Sequence, residues 1–183
     1  DEKLEPLQQY LGLTEAELKK IVLTHPATLS YNHDSVVNEK LEPLQQYLGL
    51  TDAELKKIVL KEPRTLSRNH DNLVTKLALY KKLLAMTDEG LKQAVLKEPI
   101  SLLYGQGVGE KWELMRSGFV WEPGQQQQMS LRMLGVGKER LEERLGELEA
   151  LLGEKPRASE WLRPVVMWSP EKWQAAVPGP AGE

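Results

Sequence analysis

Residues 38–74 read NEKLEPLQQYLGLTDAELKKIVLKEPRTLSRNHDNLV, and residues 1–37 read DEKLEPLQQYLGLTEAELKKIVLTHPATLSYNHDSVV. Twenty-nine of the 37 positions are identical, so the two stretches are a tandem duplication. A third copy spans 75–110 with its register shifted by one residue, placing Lys76-Leu77, Leu84, Thr87-Asp88, Leu91-Lys92 and Val95 through Pro99 on their counterparts. A degenerate fourth unit, 111–138, keeps Leu114 and the Gly118-Phe119 pair. A fifth, 139–176, recovers the rhythm through Leu151-Leu152-Gly153, Leu162, Val165-Val166 and Pro170, and is expected to cap the array. Residues 177–183, VPGPAGE, are predicted to be a disordered tail. Three or more copies at such a period mean stacked supersecondary units, because one unit cannot bury its apolar face alone.

Within a unit the apolar spacing is helical. Leu41, Leu44 and Leu48 share one face of a first helix, and Gly49 stops it in the manner of a C-terminal glycine. Pro43 belongs in the first turn of that helix, or kinks it if the helix begins earlier. Thr51-Asp52-Ala53-Glu54 is a capping box that opens a second helix, and Thr14-Glu15-Ala16-Glu17 repeats it. Leu55, Ile58 and Val59 then face the core. Pro63 ends the helix, because the residue before a proline is pushed out of α geometry. The following Arg64-Thr65-Leu66 is predicted to form a short 3₁₀ turn that tucks Leu66 inward. No stretch alternates with period two, so the chain is read as all-α: a right-angled stack of two-helix units, each closed by a 3₁₀ turn, forming a curved solenoid.

Composition narrows the function. The 183 residues include 24 Lys and Arg against 27 Asp and Glu, for a net charge of −3. Any nucleic-acid site must therefore come from segregated charge, not from excess. Cysteine is absent, which excludes disulfides, thiol catalysis and cysteine zinc sites. No apolar run approaches the roughly 18 residues that a membrane helix needs, so no membrane partner is expected. The chain opens on Asp1-Glu2 without an initiator methionine. It is expected to be a processed form or a fragment, with any targeting peptide already removed.

The pattern Gly-Leu-Thr-x-x-Glu-Leu-x-x-Ile-Val-x-x-x-Pro-x-x-Leu, at 12–29 and 49–66, resembles the repeat of the mitochondrial transcription termination factor (mTERF) family. Pro26, Pro63, Pro99 and Pro170 occupy the family's turn proline, and Leu29, Leu66, Leu102 and Trp173 follow three residues later. Tetratricopeptide and ankyrin signatures are absent. The resemblance is strong over 1–110, moderate over 139–173 and weak over 111–138, where the turn proline is missing and Gln125–Gln128 replaces the second helix's apolar pattern. That unit is expected to be distorted or partly disordered. The resemblance implies a half-ring solenoid whose concave side binds double-stranded DNA or structured RNA, in a mitochondrion or chloroplast. Within the family's range of roles, RNA held in a larger ribonucleoprotein is favoured here, because a short, net acidic chain has modest affinity alone. Double-stranded DNA in transcription termination comes next, and a protein-protein scaffold without nucleic-acid contact is the rival of another class. Neither an enzyme nor a cofactor is expected.

Basic residues recur on the second helix and the turn after it: Lys19, Lys20, Lys56, Lys57, Lys61, Arg64, Arg68, Lys92 and Lys97. Stacked repeats would align them into a stripe able to track phosphates, with counterion release as the gain. The competing reading is a solvated face in which pairs such as Glu54 with Lys57 are surface ion pairs. Basic and acidic counts are 3 and 6 in the first unit, 6 and 6 in the second, and 5 and 4 in the third, so the middle of the array suits a polyanion best. Four of the eight differences between the twin units fall in one window: Thr24/Lys61, His25/Glu62, Ala27/Arg64 and Tyr31/Arg68. That window is either a ligand-facing edge or a turn that tolerates change.

Other chemistry is excluded by spacing. Asn32-His33-Asp34 and Asn69-His70-Asp71 each carry a lone histidine without a second ligand or a coupled nucleophile, and helix capping by Asn or Asp explains them better. No metal site is expected. Gly105-Gln106-Gly107-Val108-Gly109 lacks the Lys-Ser/Thr pair of a phosphate loop and reads as a flexible connection. Trp161 and Trp168, seven apart, share a face if one helix carries both. They either stack on bases, or fill the core of the last unit or a protein interface.

Overall fold

The computed structural model describes residues 2–105, 107–125 and 129–177. The tail beyond Val177 and the glutamines 126–128, on which two of the disorder expectations fall, lie outside the described residues. The chain divides into two compact units, Asp1–Leu103 and Tyr104–Glu183. Among the described residues every regular element is helical, and one isolated parallel bridge joins Val120 and Arg157. This is the all-α repeat fold read from the sequence.

The first unit holds the near-identical repeats. Its second helices are α2 (Glu15–Thr24), α5 (Asp52–Lys61) and α7 (Asp88–Lys97), and its first helices are α1 (Glu5–Leu11), the run α3–α4 (His33–Val36 and Glu42–Leu48) and α6 (His70–Leu83). Local chemistry sets the ends of each element. Thr51 Oγ1 accepts from the Glu54 amide at 3.3 Å while the Glu54 carboxylate accepts from the Thr51 amide at 2.8 Å, a complete capping box that Thr14 and Glu17 repeat. Gly49 leaves α4 at φ 61°, letting its amide bond Gln46 and the Leu50 amide bond Gln45. That is the left-handed helix stop glycine permits. Asn32 and Asn69 cap the next helices by accepting from the Ser35 and Asn72 amides, so the Asn-His-Asp motif is a capping device. The prolines end the second helices and open 3₁₀ turns at Pro26–Ser30, Pro63–Ser67 and Pro99–Leu103. Leu66 and Leu102 are fully buried, but Leu29 remains 47% exposed.

Pro43 meets its two expectations together: it lies in the first turn of α4, and the helical run already begins at His33, with Val37–Leu41 forming a π-turn in which the Glu42 amide bonds the Val37 carbonyl. The wider turn swings the carbonyl four residues before Pro43 away from its ring, where an α-turn would clash. The third repeat has Leu79 in place of Pro43, and α6 is unbroken α-helix one residue shorter over this stretch. The π-turn is thus where the one-residue shift between copies is absorbed.

The second unit comprises α8 (Val108–Gly118), α9 (Lys138–Leu152), α10 (Ala158–Met167) and α11 (Pro170–Ala176), with a 3₁₀ turn at Leu131–Gly135. The glycine-rich segment is only partly a connection: Gly107 at φ 89° caps α8, whose first turn contains Val108 and Gly109. Pro170 opens an α-helix, not a 3₁₀ turn, because Ser169 caps it through the Lys172 amide. Trp168 follows the end of α10, so it does not share a continuous helix with Trp161. Arg144 is buried. Its guanidinium donates to the Val165 carbonyl at 2.8 Å and lies 4.7 Å from the Trp173 ring centre, fastening α9 to α10 and α11.

Candidate nucleic-acid interface

Each second helix of the first unit presents two kinds of lysine, and the fold separates them. Lys56, in α5, reaches back to the preceding repeat. Its ammonium donates to the Gly12 carbonyl at 2.8 Å and pairs with the Glu17 carboxylate at 2.8 Å. Lys92, in α7, repeats both contacts one unit later, on the Gly49 carbonyl at 2.9 Å and on Glu54 at 2.9 Å. The glycine carbonyl is one of those left unsatisfied at a helix C-terminus, where a cation is favoured. The glutamate is the capping-box residue of the preceding second helix. The Lys56 hydrogen bond, followed by that of the Thr14 amide, holds the Glu17 carboxyl below its ordinary range. For Glu54 the Thr51 amide leads, followed by Lys92.

The neighbouring lysines face the other way. Lys20 and Lys57 occupy equivalent positions, as do Lys61 and Lys97, and all four are exposed. Lys57 and Lys61 are four residues apart on α5 and so share one helix face. Arg64 follows in the exposed 3₁₀ turn, with one guanidinium nitrogen 3.1 Å from Glu62. Arg68 donates to the Leu103 carbonyl at 3.4 Å and is thereby tethered to the next turn. Lys19 is the counterpart of Lys56 and Lys92, yet it is exposed. Of the nine basic positions singled out in the sequence, Lys20, Lys57, Lys61, Arg64 and Lys97 form an accessible set centred on the second repeat. Lys56 and Lys92 are occupied between repeats. Gln93 stands where Lys20 and Lys57 would recur, and Thr24 stands where Lys61 and Lys97 do, so the stripe is densest at α5.

A second set of lysines was missed in the sequence. Lys40, Lys76 and Lys111, on first helices, donate to the carbonyls of Leu66, Leu102 and Leu134 at 3.3, 3.0 and 2.6 Å. These carbonyls lie in the 3₁₀ turns. Lys111 thus meets the 3₁₀ turn Leu131–Gly135, which has no proline, as Lys40 and Lys76 meet the earlier turns. Lys111 is buried, and burial pushes its ammonium below the ordinary lysine range. The spacing of these lysines, 36 and then 35 residues, was the available signal.

Among the described residues no three His, Asp or Glu side chains are grouped to hold an ion. His33 is buried, its Nε2 bonded to the Thr28 carbonyl at 2.9 Å, and burial holds its imidazole below the ordinary range. No helix is long and apolar enough to cross a membrane among the described residues. The family model mTERF matches residues 4–116. Nothing among curated proteins matches the chain.

Proposed function

The chain belongs to the mTERF family, and on that premise we propose that it is a non-catalytic, organellar nucleic-acid-binding protein that holds structured RNA within a ribonucleoprotein assembly. The observation that carries this reading is the separation of the lysines. Lys56 and Lys92 are committed to the stacking of repeats, while Lys57, Lys61 and Arg64 are left exposed on one helix and its turn, flanked by Lys20 and Lys97 at equivalent positions. A surface of this kind meets phosphates without reading base edges, so fit depends on the shape of the nucleic acid. The preference for RNA inside an assembly follows from the charge. A net of −3 and a cationic patch centred on one repeat give a modest electrostatic gain, which contacts from other proteins would supplement.

The test is a titration of structured RNA and of duplex DNA of equal length across a salt series. Binding falls steeply with salt, and Lys57→Glu, Lys61→Glu and Arg64→Glu each weaken it and flatten the salt slope by about one counterion. Tighter binding to RNA supports the assembly role. Tighter binding to the duplex assigns the same surface to transcription termination. Absence of binding to either at low salt leaves a scaffold that meets RNA only through its partners.

A further inference from the structure

A cleft of about 390 Å³ opens in the second unit, lined by Arg132 from the 3₁₀ turn Leu131–Gly135, Arg140 from α9, Tyr104, and Val166 and Met167 from the end of α10. Both arginines are exposed, and among the described residues neither guanidinium has a hydrogen bond or an ion pair. The contrast with the second repeat is direct. Arg64 stands two residues before Leu66, as Arg132 stands two before Leu134, but Arg64 is answered by Glu62, and Ser130 takes that place beside Arg132. On α9 the adjacent Lys138 takes Glu110 at 2.7 Å, while Arg140 takes no carboxylate. One acid borders the cleft: a Glu139 carboxylate oxygen lies 3.8 Å from where a Cβ on Gly137 would stand. The wall beside the arginines is built closely. Tyr104 is half-buried, and a Cβ on Gly135 would come within 2.6 Å of its ring, so the glycine lets the ring lie flat against the turn. Val166 is buried and Met167 is 39% exposed, which completes an apolar side.

We propose that this cleft binds a phosphate monoester carried on a flat, apolar group, the chemistry shared by a free nucleotide and the 5′-phosphorylated end of an RNA. Each guanidinium is a planar fork that matches phosphate oxygens. Two such cations balance a monoester, whose charge near neutral pH approaches two, whereas a backbone diester carries one. The Tyr104 ring and the Met167 side chain offer the surface on which a base rests. The volume is within the range of small-molecule sites, which combine an apolar wall with a few placed polar groups. This inference does not rest on the patch at α5, since it uses no residue of the first unit.

Calorimetric titration of the full chain with adenosine monophosphate (AMP) tests the proposal. AMP binds, and adenosine, which lacks the phosphate, binds at least about tenfold more weakly. Arg132→Gln and Arg140→Gln each weaken AMP at least about tenfold and leave the Tm unchanged, because neither side chain has a partner to lose. Glu139→Gln strengthens AMP binding by removing a like charge. Arg116→Gln, which removes an arginine paired with Glu113 outside the cleft, leaves it as in the parent chain. A short RNA carrying either a 5′-phosphate or a 5′-hydroxyl separates the two sources. A preference for the 5′-phosphate that Arg132→Gln abolishes assigns the site to RNA ends, and AMP binding without that preference assigns it to free nucleotides. AMP held no more tightly than adenosine overturns the proposal. So does succinate held as tightly as AMP, or an arginine pair whose variants bind AMP like the parent.

Discussion

Lys56 donates to the carbonyl of Gly12, 44 residues earlier in the chain, at 2.8 Å. Gly12 leaves α1 at φ 58°, with nothing within 4 Å of where a Cβ would stand. The glycine is there for its backbone angle, and the angle presents a helix-end carbonyl toward the next repeat. Lys92 and Gly49 repeat the arrangement. One local device therefore both ends a helix and sets the register between neighbouring units.

This division of labour predicts a split between stability and binding. Lys56→Met or Lys92→Met leaves a helix-end carbonyl without its cation and costs about 1 kcal/mol of folding stability, which is roughly 2–4 °C in Tm for a chain of this size. Lys57→Met and Lys61→Met leave the Tm unchanged within error and weaken binding to the same structured RNA. Thermal unfolding and a binding titration on the four variants check the split. Equal effects of all four on binding, with none on the Tm, would return Lys56 and Lys92 to the phosphate stripe.

The third repeat departs from its twins at the same helix stop. Ala85 occupies the position of Gly12 and Gly49 and carries φ 49°, the only non-glycine residue with positive φ among those described. A Cβ in the left-handed region costs about 1–2 kcal/mol. The greater freedom that glycine brings to the unfolded chain offsets part of this. Ala85→Gly is therefore expected to raise stability by about 0.5–1 kcal/mol, and Gly49→Ala to lower it by about 1 kcal/mol. Urea unfolding of the two variants against the parent chain measures both.

The features legible in the sequence were those fixed within one turn of the chain. The capping boxes at Thr14 and Thr51, the stop at Gly49 and the turn at Pro63 each depend on residues no more than five positions away. The paired role of Lys56 depends on a residue 44 positions away, and that distance is meaningful only once the repeats are stacked. A side chain kept at repeat spacing could be read as a stripe toward a ligand or as a ladder between units, and charge alone does not separate the two. The sequence leaves two places open for Pro43 for a related reason. Its tolerance within a helix rests on the π-turn before it, whose only trace in sequence is the one-residue shift of the third copy. The same locality explains the last unit: Pro170 was equated with the turn prolines, but Ser169 before it caps an α-helix, and neither Glu62 nor His25 does so through its side chain.

His33 supplies a pH dependence. It is buried, and burial depresses its folded pKa below the ordinary 6.5. Above 6.5 both folded and unfolded chains carry the neutral ring, and the full stability is present. As the pH falls below that value the unfolded chain takes up the proton first, so stability declines until the folded pKa is reached. His33→Gln therefore flattens the stability profile immediately below pH 6.5, whatever its effect on the absolute level. Glu17 and Glu54, whose carboxyls are also held low, lose their contribution in a separate window below their ordinary 4.5. Urea midpoints taken between pH 7.5 and pH 4 distinguish the two windows. A decline that begins near 6.5 in the His33→Gln chain as well would assign it to another group.

The π-turn yields the most specific prediction about how this sequence tolerates its own irregularity. The extra residue of the second copy lies between Val37 and Lys40, on the exposed side of the helix at Asn38 and Glu39. Deleting Asn38 should convert Val37–Leu41 to an ordinary α-turn, as in α6. Pro43 would then meet the carbonyl four residues before it and leave it without a donor, at a cost of about 3 kcal/mol or more. Pro43→Leu in the parent chain removes the proline but keeps the inserted residue, so the helix retains its wide turn and gains little. Combining the deletion with Pro43→Leu reproduces the third repeat's arrangement, in which Leu79 sits in an unbroken helix, and restores stability to near the parent level. Thermal unfolding of the single and combined variants tests this coupling, with Lys40 retained so that its bond to the Leu66 carbonyl is unaffected. Additive effects would show that the wide turn and the proline are independent. A large rescue shows that the insertion persists in this repeat because the proline requires it.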